Sequence, residues 1–231
     1  MYWIIALSLC TAVIAYLVYA SASISSGVYL KALCKGSPAR KAVALTFDDG
    51  PDEVMTPKVL DVLKRHGVQA MFFVVGEKAE KYPEIIRRIK EEGHEIGCHT
   101  FSHSPFFPLR AKEYVMAEIA MTDDVALLHT GSRMRFFRPP FGVTNPVIGK
   151  AVAGYGYITI GWSIRSLDTM SGRTREKVAA RVEKQLHDGA VILLHDRLPE
   201  ADRLVEMIIE DVRSKGMTLE RADRLLEIDR A

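Results

Sequence analysis

Two adjacent carboxylates, Asp48 and Asp49, follow an apolar run at 43–47 and precede Gly50-Pro51. An apolar run that ends at a turn signal indicates a buried strand, on which neighbouring side chains point to opposite faces. We therefore expect one acid to hold a cation and the other to handle a proton. Carboxylates beside an apolar strand are costly to bury without a positive partner, so the pattern favours a metal. A solvated Asp-Asp-Gly-Pro turn is the alternative interpretation.

Two histidines, His99 and His103, lie four residues apart, a spacing that places both imidazoles on one side of a helical turn. With Asp49 they form a set of two histidines and one carboxylate. Such sets hold zinc in hydrolases and non-haem iron in oxygenases, although an isolated pair at this spacing also occurs by chance on surfaces. The other histidines follow predicted helices among charged residues, where we expect them in water: His66, His94, His129 and His187.

Arg138 begins the segment Arg-Pro-Pro-Phe-Gly. The two prolines fix the backbone, and the guanidinium offers a bidentate donor to a carboxylate. A cation beside Asp48 would keep that acid ionised as a base. The backbone N–H of Phe141 is a candidate donor to a developing oxyanion. A rigid loop without a chemical role is the alternative.

His195 ends an apolar strand made of Val, Ile and Leu. A histidine at this position can act as a general acid near neutral pH. That role needs a carboxylate to orient the ring, and Asp168 is the candidate. The alternative is a histidine whose hydrogen bonds are satisfied within the core.

Strand and helix signals alternate from residue 41 onward, which favours βαβ units and a parallel sheet. About seven such units would close, or nearly close, into a barrel. In folds of this class, functional residues follow the carboxyl ends of strands. The candidate residues share that placement: Asp48, Asp49, His99, His103, Arg138, Asp168 and His195.

The bulk composition suits one globular domain with an appendage. The chain has 231 residues, of which 48% are apolar and 26% are charged. A formal net charge of +2 is too small to indicate nucleic-acid binding, so we expect no nucleic-acid partner. The three cysteines form no C-x-x-C pair, so neither a disulfide framework nor a cysteine zinc site is indicated.

The first thirty residues contain no charged side chain, and the stretch at 2–20 is long and apolar enough to cross a bilayer as a helix. We predict an anchor or signal segment at 1–22, a linker at 23–40 and one domain at 41–231. A signal peptide cleaved near Ala22 is the alternative. Four basic residues follow the span, and the positive-inside rule would keep that side cytoplasmic: Lys31, Lys35, Arg40 and Lys41.

Five motifs occur in the order typical of polysaccharide deacetylases, and the chain from residue 41 onward resembles the NodB homology domain of carbohydrate esterase family 4. They are Thr-Phe-Asp-Asp-Gly-Pro at 46–51, His-x-x-x-His at 99–103, Arg-Pro-Pro-Phe-Gly at 138–142, Trp-x-x-x-Ser-x-Asp at 162–168 and Leu-Leu-His-Asp at 193–196. The resemblance implies a distorted (β/α) barrel and metal-dependent removal of acetyl groups from N-acetylated sugars.

The resemblance also implies a ligand set and an acid–base pair. Asp49, His99 and His103 would bind one divalent ion, zinc above all, with cobalt, nickel and manganese as alternatives. Asp48 would be the base for a metal-bound water that attacks the acetyl carbonyl. His195 would protonate the leaving amine.

Five further roles come from the same resemblance. Asp168 would hold the ring of His195, and Arg138 would pair with Asp48. The backbone N–H of Phe141 would bind the oxyanion, Leu193 would line the pocket for the acetyl methyl group, and Trp162 would contact the sugar.

One position departs from the family pattern, because Thr169 stands where members usually carry Trp. The change removes an aromatic wall from the expected sugar groove. The leading interpretation is a membrane-anchored, extracytoplasmic N-deacetylase of an envelope or extracellular glycan of the chitin-oligomer or peptidoglycan type. The alternatives are a deacetylase of a lipid-linked sugar or an O-acetyl ester, a membrane-tethered glycan-binding module with a decayed site, and an iron oxygenase. The sequence leaves the oligomeric state open.

Overall fold

The computed structural model describes residues 2–228, which contain nine strands and nine α-helices. The strands are β1 Ala32–Leu33, β2 Ala42–Asp48, β3 Met71–Val74, β4 Glu95–Cys98, β5 Phe136–Phe137, β6 Ile158–Ile160, β7 Ile164–Arg165, β8 Val191–His195 and β9 Thr218–Leu219. The helices are α1 Tyr2–Ala22, α2 Met55–His66, α3 Gly76–Lys81, α4 Pro83–Glu91, α5 Lys112–Thr130, α6 Pro146–Tyr155, α7 Arg175–Gln185, α8 Ala201–Ser214 and α9 Ala222–Leu225.

The strands form one curved sheet in the order β1-β6-β5-β4-β3-β2-β8-β7, and β9 pairs with the start of β2. Every ladder between named strands is parallel. One isolated antiparallel bridge joins Lys35, which follows β1, to Ala190 before β8. The predicted (β/α) barrel-like architecture is confirmed, with nine strands in the described part of the chain where we expected about seven.

Two apolar layers hold the sheet in place. The larger lies between the sheet and the surrounding helices, where side chains such as Phe47, Phe72 and Ile208 are buried. The smaller fills the concave face with Met71, Phe73 and Phe136, against which α9 packs. Strands buried on both faces are typical of parallel sheets with helical connections, and all seven residues of β2 are buried.

The register between β2 and β8 determines which residues meet at the carboxyl edge of the sheet. Asp48 at the end of β2 lies beside His195 at the end of β8. On the other side, Asp48 pairs with Phe73 of β3. Asp48 and His195, which are 147 positions apart along the sequence, therefore become neighbours at the edge where functional groups collect in this class of fold.

Among residues 2–228, helix α1 is long and apolar enough to cross a membrane. Its side chains are exposed from Tyr2 to Tyr19, and Ala20 is buried. The stretch at 23–40, predicted to be a linker, contains β1, which pairs with β6. The domain boundaries at 22 and 40 stay predictions.

Candidate active site

The end of β2 separates the two adjacent carboxylates. Asp48 is the last residue of the strand and is 4% exposed. Asp49 has a φ of 69°, in the left-handed region that few residues other than glycine adopt. This change of backbone direction turns the Asp49 side chain toward His99 and His103.

Asp48 is held by a fully buried arginine. The Nη1 of Arg138 donates to Asp48 Oδ1 at 2.7 Å and to Thr46 Oγ1 at 2.9 Å. The Nε donates to the carbonyl of Ile160 at 2.9 Å, and the Nη2 donates to the carbonyl of Gly161 at 2.8 Å. These four bonds satisfy and fix the guanidinium inside the sheet, as a buried cation requires. The predicted pairing geometry of Arg138 and Asp48 is present.

The carboxylate of Asp49 and two imidazoles form a compact donor set. Asp49 Oδ1 lies 3.4 Å from His99 Nε2 and 3.2 Å from His103 Nε2. One ligand atom from each of the three residues lies within 4.8 Å of the others. The Nδ1 of His99 donates to the carbonyl of Arg138 at 2.8 Å, which leaves Nε2 free to act as a ligand.

The expectation of a helical turn between the two histidines is wrong. Residues 99–104 form a loop, in which Thr100 has a φ of 70° and His103 a φ of 48°. Glu118 of α5 holds this loop, since its carboxylate accepts hydrogen bonds from the backbone N–H groups of Phe101 and Ser102 at 3.0 and 2.8 Å. A side chain on a distant helix therefore sets the spacing of the imidazoles.

The electrostatics of this donor set suit a divalent cation. Burial raises the pKa of the Asp49 carboxyl, but the hydrogen bond from His99 and the charges of His99, His103 and His195 outweigh it and hold that pKa well below its ordinary value. Burial, with the charge of His99, lowers the pKa of His103 to about 4. A carboxylate with neutral imidazoles is the form in which these groups bind zinc or a similar ion, so the residues fit one metal.

His195 and Asp168 form the second functional pair. The Nδ1–H of His195 donates to Asp168 Oδ1 at 2.8 Å, and the backbone N–H of His195 donates to Asp168 Oδ2 at 2.8 Å. Burial lowers the pKa of His195, but the hydrogen bond and charge of Asp168 outweigh that effect and raise it. The Nε2 is left facing the cavity side, 3.9 Å from Asp49 Oδ2.

A cavity of about 410 Å³ opens over these groups. The predicted site residues line it, except Arg138 and Asp168, which stand behind Asp48 and His195. Phe141 has a φ of 60°, is 49% exposed, and packs its ring against His103 with centroids 4.9 Å apart. Trp162 and Leu193, the other two residues predicted to contact the substrate, also line the cavity. Thr169, which departs from the family pattern, lines it as well.

Two basic residues beside Asp49 were missed by sequence reasoning. Arg197 donates from Nε and Nη2 to Asp49 Oδ2 at 3.1 and 2.9 Å. Lys78 donates to the backbone carbonyl of Asp49 at 2.7 Å, and burial together with the charge of Arg197 lowers its pKa. The position of Arg197 two residues after His195 was a signal that could have been used. Lys78, on an exposed-looking charged helix, gave none.

The expectation that all four remaining histidines are solvated is wrong for His94. That side chain is 2% exposed, and its Nδ1 accepts a hydrogen bond from the backbone N–H of Ala70 at 3.1 Å. Burial lowers its pKa to about 4. His94 lies before β4, away from the strand ends that carry the candidate site.

Comparison with known proteins gives a consistent group of relatives. A family model described as polysaccharide deacetylase matches residues 35–160. The chain is 38% identical over 184 residues to a peptidoglycan-N-acetylglucosamine deacetylase of Bacillus cereus, covering 78% of this chain and 66% of that protein. It is 34% identical over 194 residues to the peptidoglycan-N-acetylmuramic acid deacetylase PdaA of Bacillus subtilis, covering 83% of this chain and 73% of that protein.

A solved structure agrees with these relatives. The crystal structure of the Bc1960 peptidoglycan N-acetylglucosamine deacetylase superposes with a TM-score of 0.80 at 32% identity, covering 85% of this chain and 92% of that one. The likeness therefore extends over most of the sheet and its helices. The matched part corresponds to about two thirds of the length of the Bacillus cereus relative.

Proposed function

Because this chain belongs to the polysaccharide deacetylase family, we propose that it hydrolyses the N-acetyl groups of an envelope or extracellular glycan with the help of one divalent metal. One observation carries the proposal. The donor atoms of Asp49, His99 and His103 converge on the cavity into which Asp48 and His195 also open. An ion site flanked by a proton acceptor and a proton donor is what amide hydrolysis at neutral pH requires.

Asp49, His99 and His103 would hold the metal, with zinc as the first candidate because the set combines two nitrogens and one oxygen. When bound, such an ion supplies Lewis acidity and makes a coordinated water more acidic. Cobalt, nickel and manganese also bind imidazole and carboxylate ligands, so they are the alternative ions. The hydrogen bond from His99 Nδ1 to the carbonyl of Arg138 supports this assignment, because ligating histidines are commonly oriented in this way.

Asp48 is assigned the role of general base. Its carboxylate is buried, accepts a bond from Arg138 and lies 3.8 Å from the Nε2 of His99, close to the ion site. The neighbouring guanidinium favours the ionised form of an acid, which is the form that can accept a proton. Arg138 does not line the cavity, so its role is to hold and orient Asp48 through their hydrogen bond.

His195 is assigned the role of general acid toward the leaving amine. The raised pKa that Asp168 gives it keeps the ring protonated to higher pH. The hydrogen bond at Nδ1 fixes the tautomer, so Nε2 is the atom that gives up the proton. The register of β2 and β8 supports the pairing of roles, because it sets acid and base side by side on neighbouring strands.

Phe141, Leu193 and Trp162 are assigned to the substrate. The backbone N–H of Phe141 would donate to the oxyanion, and Leu193 and Trp162 would contact the acetyl methyl group and the sugar ring. All three line the cavity. Thr169 on the same wall leaves that side of the groove without a large aromatic ring, which favours a substrate with bulk at that side.

The relatives named for peptidoglycan favour that polymer as the glycan, with chitin oligomers as the second choice. Such substrates lie outside the cytoplasm, so we propose an extracytoplasmic domain held by α1 in the membrane, despite the basic residues that follow the span. Secretion after cleavage near Ala22 is the alternative. Helix α1 supports the anchor by its length and composition.

The test is acetate release from peptidoglycan, chitin oligomers and lipid-linked aminosugars by metal-reconstituted full-length protein. We expect release from at least one N-acetylated glycan, its loss with a chelator, and its recovery with zinc. In Asp48→Asn and in His195→Ala the rate should fall by about 10²–10⁴-fold. Acetate release that survives both substitutions would reject the assigned roles, and no release from any glycan with metal bound would reject the activity.

A further inference from the structure

The end of α1 is built into the catalytic domain. Thr144, which is 1% exposed, donates from its hydroxyl to the carbonyl of Ala20 at 3.1 Å and from its backbone N–H to the carbonyl of Ser21 at 2.9 Å. Ala20 is fully buried. Removal of the helix by cleavage near Ala22 would strip the buried Thr144 of both acceptors, which is unfavourable. The contacts favour a helix that stays attached.

The same helix end packs against residues next to the cavity. Ile24 is 5% exposed and lies against Gly161, where an added Cβ would meet the Ile24 side chain within 3.2 Å. Gly161 precedes Trp162, and Thr144 follows Phe141 by three residues. Both Trp162 and Phe141 line the cavity. The point where α1 enters the domain and the opening of the site are therefore formed by the same two loops.

Three exposed apolar side chains lie on segments that are linked to this entry point, and we call them the mouth patch: Phe106, Leu109 and Phe141. They are 60%, 83% and 49% exposed. The segment that carries the first two is tied to the loop that holds α1, because Asn145 Nδ2 donates to the carbonyl of Pro108 at 2.6 Å.

The mouth patch is also joined to the ion site, since the ring of Phe141 contacts the ring of His103. Large exposed apolar side chains that cluster in one place mark an interaction surface, whereas single ones do not. Here the segments that carry the patch are linked to the end of a helix whose part from Tyr2 to Tyr19 is apolar and exposed. A helix of that length spans about 27 Å at 1.5 Å per residue, close to the hydrocarbon thickness of a bilayer.

We infer that the mouth patch rests on the bilayer that holds α1, so that the cavity opens at the lipid surface onto N-acetylated sugars carried close to the headgroups. The lipid surface is the partner that fits, because Thr144 and Asn145 link the segments that carry the patch to the end of α1, and buried contacts fix the domain to that helix. The identity of the sugar rests on the proposed activity, and the bilayer contact rests on the proposed membrane anchoring by α1. Because the end of α1 is held against the domain by buried contacts, the site would act on glycan that lies close to the membrane.

The bilayer contact is tested by depth-dependent fluorescence quenching on the full chain, reconstituted into vesicles of phosphatidylethanolamine and phosphatidylglycerol that contain brominated phospholipid. Leu109→Trp is compared with Leu128→Trp, both in a Trp3→Phe background whose remaining Trp162 gives the baseline. Leu128 is the matched control, because it is 76% exposed near the far end of α5. We expect quenching above the baseline at position 109 and baseline quenching at 128. Equal quenching at the two positions would overturn the contact.

The consequence for substrate choice is tested by lengthening the connection. A flexible Gly/Ser insertion of about twelve residues between Tyr19 and Ala20 leaves the buried contacts of Ala20, Ser21 and Ile24 in place and lets the domain move away from the lipid. We expect kcat/KM for chitotetraose carried on a phospholipid in the same vesicles to fall about tenfold, through loss of effective concentration. The rate with free chitotetraose should not change.

An insertion that leaves the rate on lipid-carried sugar intact would overturn the inference about substrate. If neither form of the sugar releases acetate, the proposed function fails, and the quenching pair still decides the bilayer contact. If both forms are deacetylated equally by the wild-type protein and position 109 is not quenched, the proposed function stands and the membrane contact is wrong.

Discussion

Asp48 and Asp49 end the same strand, yet each meets a different arginine in a different environment. Arg138 holds Asp48 from inside the sheet, is 0% exposed and has four hydrogen bonds to protein acceptors. Arg197 holds Asp49 from the rim of the cavity, and its side chain is 37% exposed. One carboxylate is therefore held within the core of the fold, whereas the partner of the other is open to solvent and can be replaced by water.

The comparison has a simple physical cause. A buried ion pair that loses one member leaves an uncompensated charge in the interior, which costs several kcal/mol. A half-exposed pair loses little, because water replaces the missing partner. The inner pair, Arg138 with Asp48, is therefore suited to keep the Asp48 carboxylate in one position. The outer pair, Arg197 with Asp49, is suited to change how tightly Asp49 binds a cation.

The largest expected effect comes from removing each arginine in turn. Arg138→Met should lower the free energy of unfolding by about 3–5 kcal/mol, because Asp48 is left buried without its cation. The matched change Arg197→Met should cost about 1 kcal/mol or less. Denaturant unfolding of the metal-free full-length protein in detergent measures both. Equal costs would contradict the distinction between an inner and an outer pair.

The second effect is a difference in zinc affinity and deacetylation rate between variants of Asp48 and of Asp49. Asp49→Asn should weaken zinc binding by more than about 100-fold, because it removes the negative charge of the ligand carboxylate and leaves a weaker neutral amide donor. Asp48→Asn should change zinc affinity by less than about tenfold while the deacetylation rate falls about 10²–10⁴-fold. Isothermal titration with zinc and an acetate assay measure the two quantities. The comparison fails if Asp48→Asn weakens zinc binding as much as Asp49→Asn does.

The third effect concerns pH. Asp168 raises the pKa of His195, and a general acid works only while it is protonated. With His195 in the proposed role of general acid, we expect activity to be lost as the pH rises through this pKa, and Asp168→Asn should move the alkaline limb of the kcat/KM profile to lower pH. The acid limb should stay in place and serves as the internal control. An alkaline limb that does not move would remove Asp168 from its positioning role.

The smallest effect is expected at the outer arginine. Arg197→Gln removes a positive charge that contacts Asp49 Oδ2 through two nitrogens. Because a nearby cation disfavours a second cation, zinc affinity should increase by about three- to tenfold. Arg203→Gln is the control, since that arginine is exposed and pairs only weakly with Glu200 at 3.4 Å. A loss of zinc affinity in Arg197→Gln would mean that Arg197 positions Asp49 for the ion.

Much of this arrangement could be predicted from the sequence. The alternation of strands and helices indicated the parallel architecture, and the polar residues at strand ends indicated which side chains would gather at one edge. Local sequence patterns did not predict the conformation of the loop between His99 and His103. The His99–His103 spacing suggested a helical turn, but a loop with left-handed residues, held by Glu118, brings the rings together. Sequence spacing alone does not reveal a hydrogen bond from another helix.

Long-range contacts account for the other differences. His94 looked solvated because charged neighbours surround it in the sequence, yet it is buried against Ala70 after folding. Arg197 and Lys78 meet at Asp49 from segments about 120 residues apart. The stretch predicted to be a linker contributes β1 to the sheet. None of these contacts produces a periodic pattern of residue types in the sequence, so periodicity could not have predicted them.

The residue types and their order specified the chemical inventory: two acids after an apolar strand, a pair of imidazoles, an arginine before two prolines, an orienting acid and an apolar span at the start. Those features are local, because each depends on residue types within a few positions of one another. The tertiary structure alone decided that β8 lies beside β2, that the outer arginine reaches Asp49, and that the end of α1 is seated next to the cavity. Such neighbours are chosen by packing and hydrogen bonding between distant segments, which depend on the whole chain folding at once.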